Sequence, residues 1–215
     1  MPRQEHSPCQ GANPVPAERG RRGDRGTPGY RMSFEFNAAL FRVLLSYLEP
    51  KVDDRILDLG CGRGFYVRAL EHYTRGIAGV DLSEDSMERA VSDGIRYGDV
   101  TNLDIDDGSY DKVYSLHTIE HLPDVGAFLR EVARVLRPSG TAVIVYPWEL
   151  FRGMQAIVAS VRQYRSPFFA RRIHLHRLTP AVVVRAAEGA ELAHQESRLL
   201  LSSGVQYLTV FSRRT

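Results

Sequence analysis

The feature that most constrains the fold is an apolar run that passes directly into three closely spaced glycines. The run 56–59 has the composition of a buried strand, and Gly60, Gly62 and Gly64 follow it before a helix-like segment begins at Phe65. Glycine allows the backbone to bend sharply and allows a ligand to approach it closely. The pattern therefore predicts one βαβ unit with a nucleoside bound at the carboxyl ends of its strands.

Acidic residues mark the ends of two successive predicted strands. Asp58 lies near the end of the first, and Asp81 closes the apolar run 76–80. The carboxyl ends of parallel strands share one edge of a sheet, so we expect Asp81 to bind the hydroxyl groups of a ribose. The glycine spacing differs from the dinucleotide pattern G-x-G-x-x-G, and no Lys-Ser or Lys-Thr pair follows as it does in a P-loop. A tight turn without a ligand is the alternative interpretation of the glycines.

The segment 58–64, Asp-Leu-Gly-Cys-Gly-Arg-Gly, resembles motif I of the class I S-adenosylmethionine-dependent methyltransferases. Four later runs resemble the same family: Gly98-Asp99-Val100, Tyr110-Asp111-Lys112-Val113, Glu120-His121-Leu122, and Leu136-Arg137-Pro138-Ser139-Gly140, in which Ser139 replaces the family's first glycine. The Glu-His-Leu run is common in the subfamily that includes ubiquinone and menaquinone biosynthesis methyltransferases. The resemblance covers residues 50–148 and implies S-adenosylmethionine as the cofactor.

The resemblance also implies which residues bind that cofactor. Asp58 and the glycines Gly60, Gly62 and Gly64 are expected around its amino-acid part. Asp81 is expected at the ribose, Asp99 and Val100 at the adenine, and Leu116 beside the methyl group. The remaining residues expected to contact the cofactor are Cys61, Leu82 and Met87.

Strands and helices alternate from residue 53 onward, which predicts a doubly wound α/β sheet. Strands are expected at 55–59, 76–81, 95–99, 110–115 and 141–146, and helices at 30–48, 65–73, 124–136 and 180–188. The runs 191–201 and 205–213 are expected to pair as an antiparallel closing hairpin. The resemblance implies a single Rossmann-like domain with a seven-stranded sheet.

Composition limits the remaining organisation. Residues 1–28 are rich in Pro, Gly and Arg, which predicts a disordered tail; a basic arm that contacts nucleic acid or a membrane is the alternative. Residues 29–215 are expected to form the methyltransferase domain. Cys9 and Cys61 cannot build a disulfide framework, which favours a reducing cytoplasm. The net charge is only +2, and no apolar run reaches the ~20 residues of a membrane span. We therefore expect neither a nucleic-acid partner nor a membrane span, whereas a homodimer is left open.

Residues 147–178 lie where this family usually inserts a substrate-binding cap. Apolar residues recur there at helical spacing from Leu150 to Val161, as in a helix packed on the sheet edge or a lid over a hydrophobic acceptor. An amphipathic membrane contact has weak support in a run this short. The residues expected to contact the acceptor are Tyr146, Trp148, Phe151, Met154, His174 and His176.

Histidines supply the candidates for a general base, because imidazole titrates near neutrality. His117 comes just after the fourth strand, where side chains face the transferred methyl in this fold, and it is our first candidate. His121 is the second, although a histidine in a Glu-His-Leu run often braces a helix instead.

Metal assistance is an alternative that the resemblance raises. The small-RNA 2′-O-methyltransferases and ubiquinone O-methyltransferases bind a divalent ion with E-x-x-E-H and a later histidine. In this chain His117 replaces the first carboxylate of that motif, so we expect no metal. The sequence thus predicts a methyltransferase acting on a small, apolar or aromatic metabolite. The alternatives are a regulatory protein that binds S-adenosylmethionine without transfer, and a metal-assisted RNA or quinone O-methyltransferase.

Overall fold

The computed structural model describes residues 36–201 and 204–215. Within these residues, seven strands form one sheet in the order β3-β2-β1-β4-β5-β7-β6. The strands are β1 (Arg55–Leu59), β2 (Gly76–Asp81), β3 (Ile95–Tyr97), β4 (Tyr110–Leu116), β5 (Leu136–Pro147), β6 (Leu192–Leu200) and β7 (Gln206–Arg213). The first five are parallel, and β7 runs antiparallel to both β5 and β6. The predicted seven-stranded sheet and its closing hairpin are confirmed.

Helices cover both faces of the sheet. They are α1 (Ala38–Leu48), α2 (Phe65–Leu70), α3 (Glu84–Glu88), α4 (Val125–Val135), α5 (Ile157–Tyr164), α6 (Ala170–Ile173) and α7 (Pro180–Ala187). Polar side chains fix where several of them begin: Asn37 accepts the Leu40 N–H of α1, and Asp124 accepts the Ala127 N–H of α4. The predicted tail, residues 1–28, and the predicted start of the first helix lie outside the described residues.

The central strands are buried on both sides, which divides the apolar core in two. Ala142, Ile144 and Tyr146 of β5 pack with α4 and α7 on one face, while Val143 and Val145 pack with α1 and α2 on the other. Successive side chains of a strand point to opposite faces, so a continuous apolar run fills both cores.

The strand order places a crevice at the carboxyl edge of the sheet. From β1 the chain builds outward to β2 and β3, and then returns to place β4 on the other side of β1. The connections on the two sides of β1 therefore leave the sheet in opposite directions, and this is where open α/β sheets bind ligands. Asp58 of β1 pairs in register with Gly79 of β2 and Tyr114 of β4.

The predicted helix 65–73 and strand 95–99 end earlier in the structure, at Leu70 and Tyr97, and two other predicted elements differ more. The segment 137–140, which lies between a predicted helix and a predicted strand, is part of β5, because Leu136 already pairs with Tyr110 across an irregular register; Ser139 takes φ 62° there. The helix expected from Leu150 begins only at Ile157, because residues 150–156 fold as a loop around Glu149. The carboxylate of Glu149 accepts the backbone N–H groups of Gly153 and Gln155.

No helix among the described residues is long and apolar enough to span a bilayer.

Asp58 is a carboxyl group in the interior of the sheet. It is only 2% exposed, and burial raises its pKa to about 8. The Tyr114 hydroxyl opposes this rise, and the charge of Asp81 adds to it. The sheet thus holds a carboxyl group that is largely protonated at neutral pH in the absence of a bound cation.

The raised pKa of Asp58 should make the stability of the protein depend on pH. Between the ordinary carboxyl pKa near ~4 and about 8, the folded protein binds more protons than the unfolded chain. The free energy of unfolding therefore falls as pH rises through this window, by up to about 1.4 kcal/mol per pH unit. Urea unfolding at about pH 5 and about pH 8 measures this fall, and Asp58→Asn should lack it.

Asp93→Asn, at an exposed position, is the matched control and should keep the pH dependence of the unmodified protein. Equal pH dependences of the unmodified protein and Asp58→Asn would contradict the assignment.

Candidate functional site

A cavity of about 370 Å³ opens at the carboxyl ends of β1, β2 and β4. On the β1–β2 side its wall includes Asp58, Gly60, Cys61, Gly62 and Asp81. On the β4 side its wall includes Leu116, His117, Thr118, Glu120 and His121, and the far wall includes Gln155, His174 and Gln206. The crevice predicted from the glycine turn is therefore a real concavity, and its size falls in the range of small-molecule sites, about 300–1,000 Å³.

The glycine turn forms the floor on the β1 side. A Cβ at Gly60 would lie 2.0 Å from Thr118 Oγ1, so a side chain cannot fit between the turn and the segment after β4. Gly62 has φ 53°, and a Cβ there would meet no atom within 4 Å. Gly60 thus permits close packing, whereas Gly62 leaves open space where the backbone meets the cavity.

Asp81 joins the glycine turn to the end of β2. Its Oδ2 accepts the Gly62 N–H at 2.8 Å, and its Oδ1 accepts the Ser83 N–H at 2.8 Å. Ser83 then caps α3 by accepting the Ser86 N–H. Each carboxylate oxygen has two lone pairs, so each keeps one with which to accept a ligand hydroxyl.

Asp58 and Cys61 contribute buried groups to the same wall. Burial raises the pKa of the Cys61 thiol far above its usual range, and the carboxylates of Asp58 and Asp81 add to the effect. A thiol in this state is a poor nucleophile, which gives Cys61 a packing role.

The front of the cavity contains residues that sequence reasoning missed. Asn37 and Tyr66 both line it, and the Asn37 N–H donates to the Tyr66 hydroxyl at 3.2 Å. Asn37 is also the N-cap of α1, so its place before a helical pattern was the available signal.

His117 stands between two elements that are distant in sequence. It follows β4 directly with φ 55°, a backbone conformation that few residues other than glycine adopt. Its Nε2 lies 2.6 Å from Gln206 Oε1, and its Nδ1 lies 3.5 Å from Glu120 Oε1. An amide oxygen can only accept, so Nε2 carries the proton and Nδ1 has the lone pair.

Glu120 is a buried carboxylate surrounded by imidazoles. It is 1% exposed, and its Oε2 has no hydrogen-bond partner among the described residues. Burial favours its neutral form, but His121, His117 and His174 outweigh burial and lower its pKa. Burial also lowers the pKa of His121 and outweighs the opposing effect of Glu120. The arrangement therefore favours a charged Glu120 beside a neutral His121.

Each of two imidazoles in this cluster has one nitrogen held by a hydrogen bond. His121 Nδ1 lies 2.8 Å from the Ile173 carbonyl oxygen, and His174 Nδ1 lies 2.7 Å from Glu149 Oε1. In both rings this leaves Nε2 as the nitrogen with the lone pair. Glu120, His121 and His174 offer ligand atoms that all lie within 4.8 Å of one another. The site thus contains a set of groups that could hold a metal ion, although the sequence predicted none.

Several residues expected to bind the cofactor lie away from the cavity wall. Gly64 caps α2 at the far end of the glycine turn, and Leu82 is 57% exposed. Met87 is half-buried on α3 and Val100 packs in the core, while the exposed Asp99 carboxylate accepts from Thr101. Of these five, none lines this cavity, and their contact with a cofactor stays a prediction.

The residues expected to contact the acceptor are scattered. Tyr146 was placed wrongly, because its ring lies fully inside the core and its hydroxyl pairs with Thr209 at 2.8 Å. Phe151 is 47% exposed, and His176 binds the Leu122 carbonyl oxygen. Trp148 and Met154 are half-buried near the cavity without lining it, whereas His174 lines it.

Other wall residues had little or no local signal. Gln206 reaches the cavity because the closing hairpin pairs β7 with β5, placing Gln206 opposite Pro147. Gln155 reaches it through the loop that Glu149 organises. Both contacts depend on tertiary structure, which sequence periodicity does not report.

Comparisons with known proteins find relatives of the segment that builds most of this site. Residues 57–144 match the model of a methyltransferase domain. The 27-O-demethylrifamycin SV methyltransferase of Amycolatopsis mediterranei is 35% identical over 108 residues, which cover 45% of this chain and 40% of that protein. The ubiquinone biosynthesis O-methyltransferase of Xanthomonas oryzae pv. oryzae is 31% identical over 114 residues, which cover 47% of this chain and 48% of that protein. The matches thus span less than half the length of these curated relatives.

A solved structure shares the fold over most of this chain. The S-adenosylmethionine-dependent methyltransferase from Mesorhizobium loti superimposes with a TM-score of 0.66 over 82% of this chain and 98% of that chain, at 22% identity. At this identity the likeness shows the fold. Residues 57–144 therefore form a methyltransferase domain of the S-adenosylmethionine-dependent class, whose cofactor is S-adenosylmethionine, and the sheet around them has the fold of such an enzyme.

Proposed function

We propose that this chain transfers a methyl group from S-adenosylmethionine to a small, apolar or aromatic acceptor. The observation that carries the proposal is one cavity with two chemically different walls. The β1–β2 wall presents Asp81 and the glycine turn, and the β4 wall presents His117 beside the buried Glu120. One wall suits a nucleoside with an amino-acid tail, and the other suits a group that must lose a proton.

The residues of the β1–β2 wall fit the cofactor. The open space at Gly62 leaves room beside the backbone, and the spare lone pairs of Asp81 match the two hydroxyl groups of a ribose. Asp58 lines the same wall, and a bound ammonium group would stabilise its charged form against the burial that raises its pKa. When bound, S-adenosylmethionine supplies a methyl carbon made electrophilic by the attached sulfonium.

The β4 wall would orient the acceptor and receive its proton. His117 Nδ1 is the proton-accepting atom, because Gln206 fixes the proton of the ring on Nε2. Protonation of Nδ1 creates a cation 3.5 Å from the Glu120 carboxylate, which stabilises it. Holding acceptor and methyl donor in line within one cavity supplies the remainder of the rate increase.

The names of the two curated relatives support an acceptor of this kind. One methylates a demethylrifamycin and the other acts in ubiquinone biosynthesis, and both names specify an oxygen as the methylated atom. Phenols and hydroquinones are therefore the first acceptors to test. Trp148, Phe151, Met154, His174 and His176 stay proposed as acceptor contacts in the cap.

Removing the carboxylate of Asp81 should abolish most cofactor affinity. Asp81→Ala loses both the ribose acceptors and the bond that holds Gly62, so S-adenosylmethionine binding measured by calorimetry should weaken at least tenfold, or about 1.4 kcal/mol. Asp81→Asn keeps one acceptor oxygen, so its affinity for S-adenosylmethionine should lie between those of the unmodified protein and Asp81→Ala.

Glu84→Ala, an exposed acid on α3, serves as the matched control for Asp81→Ala and should bind normally. Unchanged binding by Asp81→Ala would refute the assigned ribose site.

Replacing His117 should slow turnover while leaving cofactor binding intact. Production of S-adenosylhomocysteine from a panel of phenols, hydroquinones and aliphatic alcohols measures turnover. His117→Ala should lower kcat by about 100-fold or more, the usual contribution of a general base. His117→Asn should do the same while tolerating the left-handed backbone better than alanine.

His72→Ala, at an exposed position after the end of α2, should keep full activity. Equal rates for His117→Asn and the unmodified protein would remove His117 as the base. Cofactor binding without transfer to any acceptor would favour the regulatory alternative.

A metal-assisted transfer is the second candidate, and the unpartnered Glu120 Oε2 favours it. The ligand set of one carboxylate and two imidazoles matches that of transition-metal sites that keep open positions. Ile173 and Glu149 hold the other nitrogens of the two rings, as second partners of metal-bound histidines commonly do. A ligand set rich in nitrogen suits Zn²⁺ or Co²⁺ better than Mg²⁺.

This candidate predicts a saturable ion site. Titration with Co²⁺ should produce a visible absorption band at one equivalent, and His174→Ala should weaken ion binding by about 10-fold or more. His194→Ala, an exposed histidine on β6, should bind the ion normally. Metal-assisted transfer would be refuted if no ion binds and chelator-treated protein keeps its transfer activity.

A further inference from the structure

The cap between β5 and α7 has a small apolar core of its own. Ala156, Ala159, Ala170 and Ile173 form it, with Ile157 and Tyr164 packed against them. The buried members of this core come from α5, α6 and the residue before α5, so the exposed side chains of the cap are not part of it.

Large apolar side chains nevertheless point outward from the cap. Val158 and Val161 of α5 are 66% and 47% exposed, and Phe168 is 87% exposed. The backbone around Phe168 is held in place by its neighbour, because the ring of Phe169 stacks on that of Tyr164 with ring centroids 5.0 Å apart. Leu150 is also exposed, at 64%. These four side chains form the apolar part of what we call the cap surface.

The basic part of the cap surface has no acidic counterpart. Residues 150–177 contain six arginines, at 152, 162, 165, 171, 172 and 177, and no aspartate or glutamate. All six are exposed, and none forms an ion pair with another described residue in this structure. The whole chain has a net charge of only +2, so this positive charge is concentrated here.

Helical spacing brings both kinds of side chain to one face of α5. Val158, Val161 and Arg162 are three or four residues apart and all are exposed, whereas Ala159 and Ser160 face inward. Arg165, the residue that ends the helix, is exposed as well. An apolar stripe flanked by arginines is the pattern of a helix that lies in the interface of an anionic bilayer.

We propose that the cap surface docks on an anionic phospholipid membrane. Arginines would pair with lipid headgroups while Phe168 and the two valines enter the acyl boundary. A second copy of the chain fits less well, because a two-fold contact would bring the arginines of both copies together. RNA fits less well, because exposed aliphatic side chains have no partner on a single strand, where stacking aromatics are needed.

Docking of the cap on a membrane would help to deliver an acceptor to the cavity, an inference that rests on the proposed function. Gln155, before α5, and His174, after α6, both line the cavity, so the cap helices lie between its wall and the docked surface. An apolar acceptor dissolved in the bilayer would then have a short path to the site.

Vesicle co-sedimentation of the full chain tests the docking without cofactor or acceptor, so its outcome is independent of transfer. Vesicles of phosphatidylcholine and phosphatidylglycerol should bind the protein, high salt should weaken the binding, and phosphatidylcholine alone should bind it poorly. Arg162→Glu with Arg165→Glu should lower the partition coefficient by about tenfold or more. Phe168→Ser should also lower it.

The matched control combines Val52→Ser with Arg75→Glu. Val52 is 55% exposed and Arg75 is exposed, and both precede strands, at the opposite edge of the sheet from the cavity. This variant should bind like the unmodified protein, and thermal unfolding checks that each variant is folded.

Three results would overturn the proposal. One is binding that does not depend on phosphatidylglycerol or on the cap substitutions. Another is tight, salt-dependent binding of single-stranded RNA with no vesicle binding. The last is a dimer in sedimentation velocity that Phe168→Ser dissociates, without vesicle binding.

Discussion

The hydrogen bonds of the Asp81 carboxylate are the interaction on which the site depends. One oxygen holds Gly62 of the turn after β1, and the other holds Ser83 at the start of α3. Two adjacent strands and the loops that follow them are thereby fixed at one edge of the sheet. Because each oxygen retains a lone pair, the group that organises the turn can also bind a ligand.

The opposite wall depends on a different balance, between burial and charge. Burial raises the pKa of Glu120, but the surrounding imidazoles outweigh burial and lower it, while burial lowers the pKa of His121 against the opposing effect of Glu120. Glu149 forms a second carboxylate–imidazole pair, with His174. A network of this kind can stabilise a proton on His117 or hold a cation. Both chemistries use the Glu120 carboxylate, and measurements of ion binding and of turnover separate them.

The cap links this chemistry to the outside of the molecule. Its inner side supplies Gln155 and His174 to the cavity, and its outer side presents Phe168 among exposed arginines. The buried Glu149 organises the entry of the chain into the cap through Gly153 and Gln155. The same short segment therefore closes the site and carries the surface that we propose to meet a membrane.

The sequence by itself determined the sheet, the glycine turn and the two acidic strand ends, because apolar runs, glycine and alternation act over a few neighbouring residues. It placed Tyr146 wrongly at the acceptor, since a residue inside a continuous apolar run shows no sign of which face it points to. Only the tertiary structure brought Gln206 to His117, 89 residues apart, and gathered Glu120 with His174. Those contacts arise from strand pairing and cap packing, which bring distant segments together and leave no periodic trace along the chain.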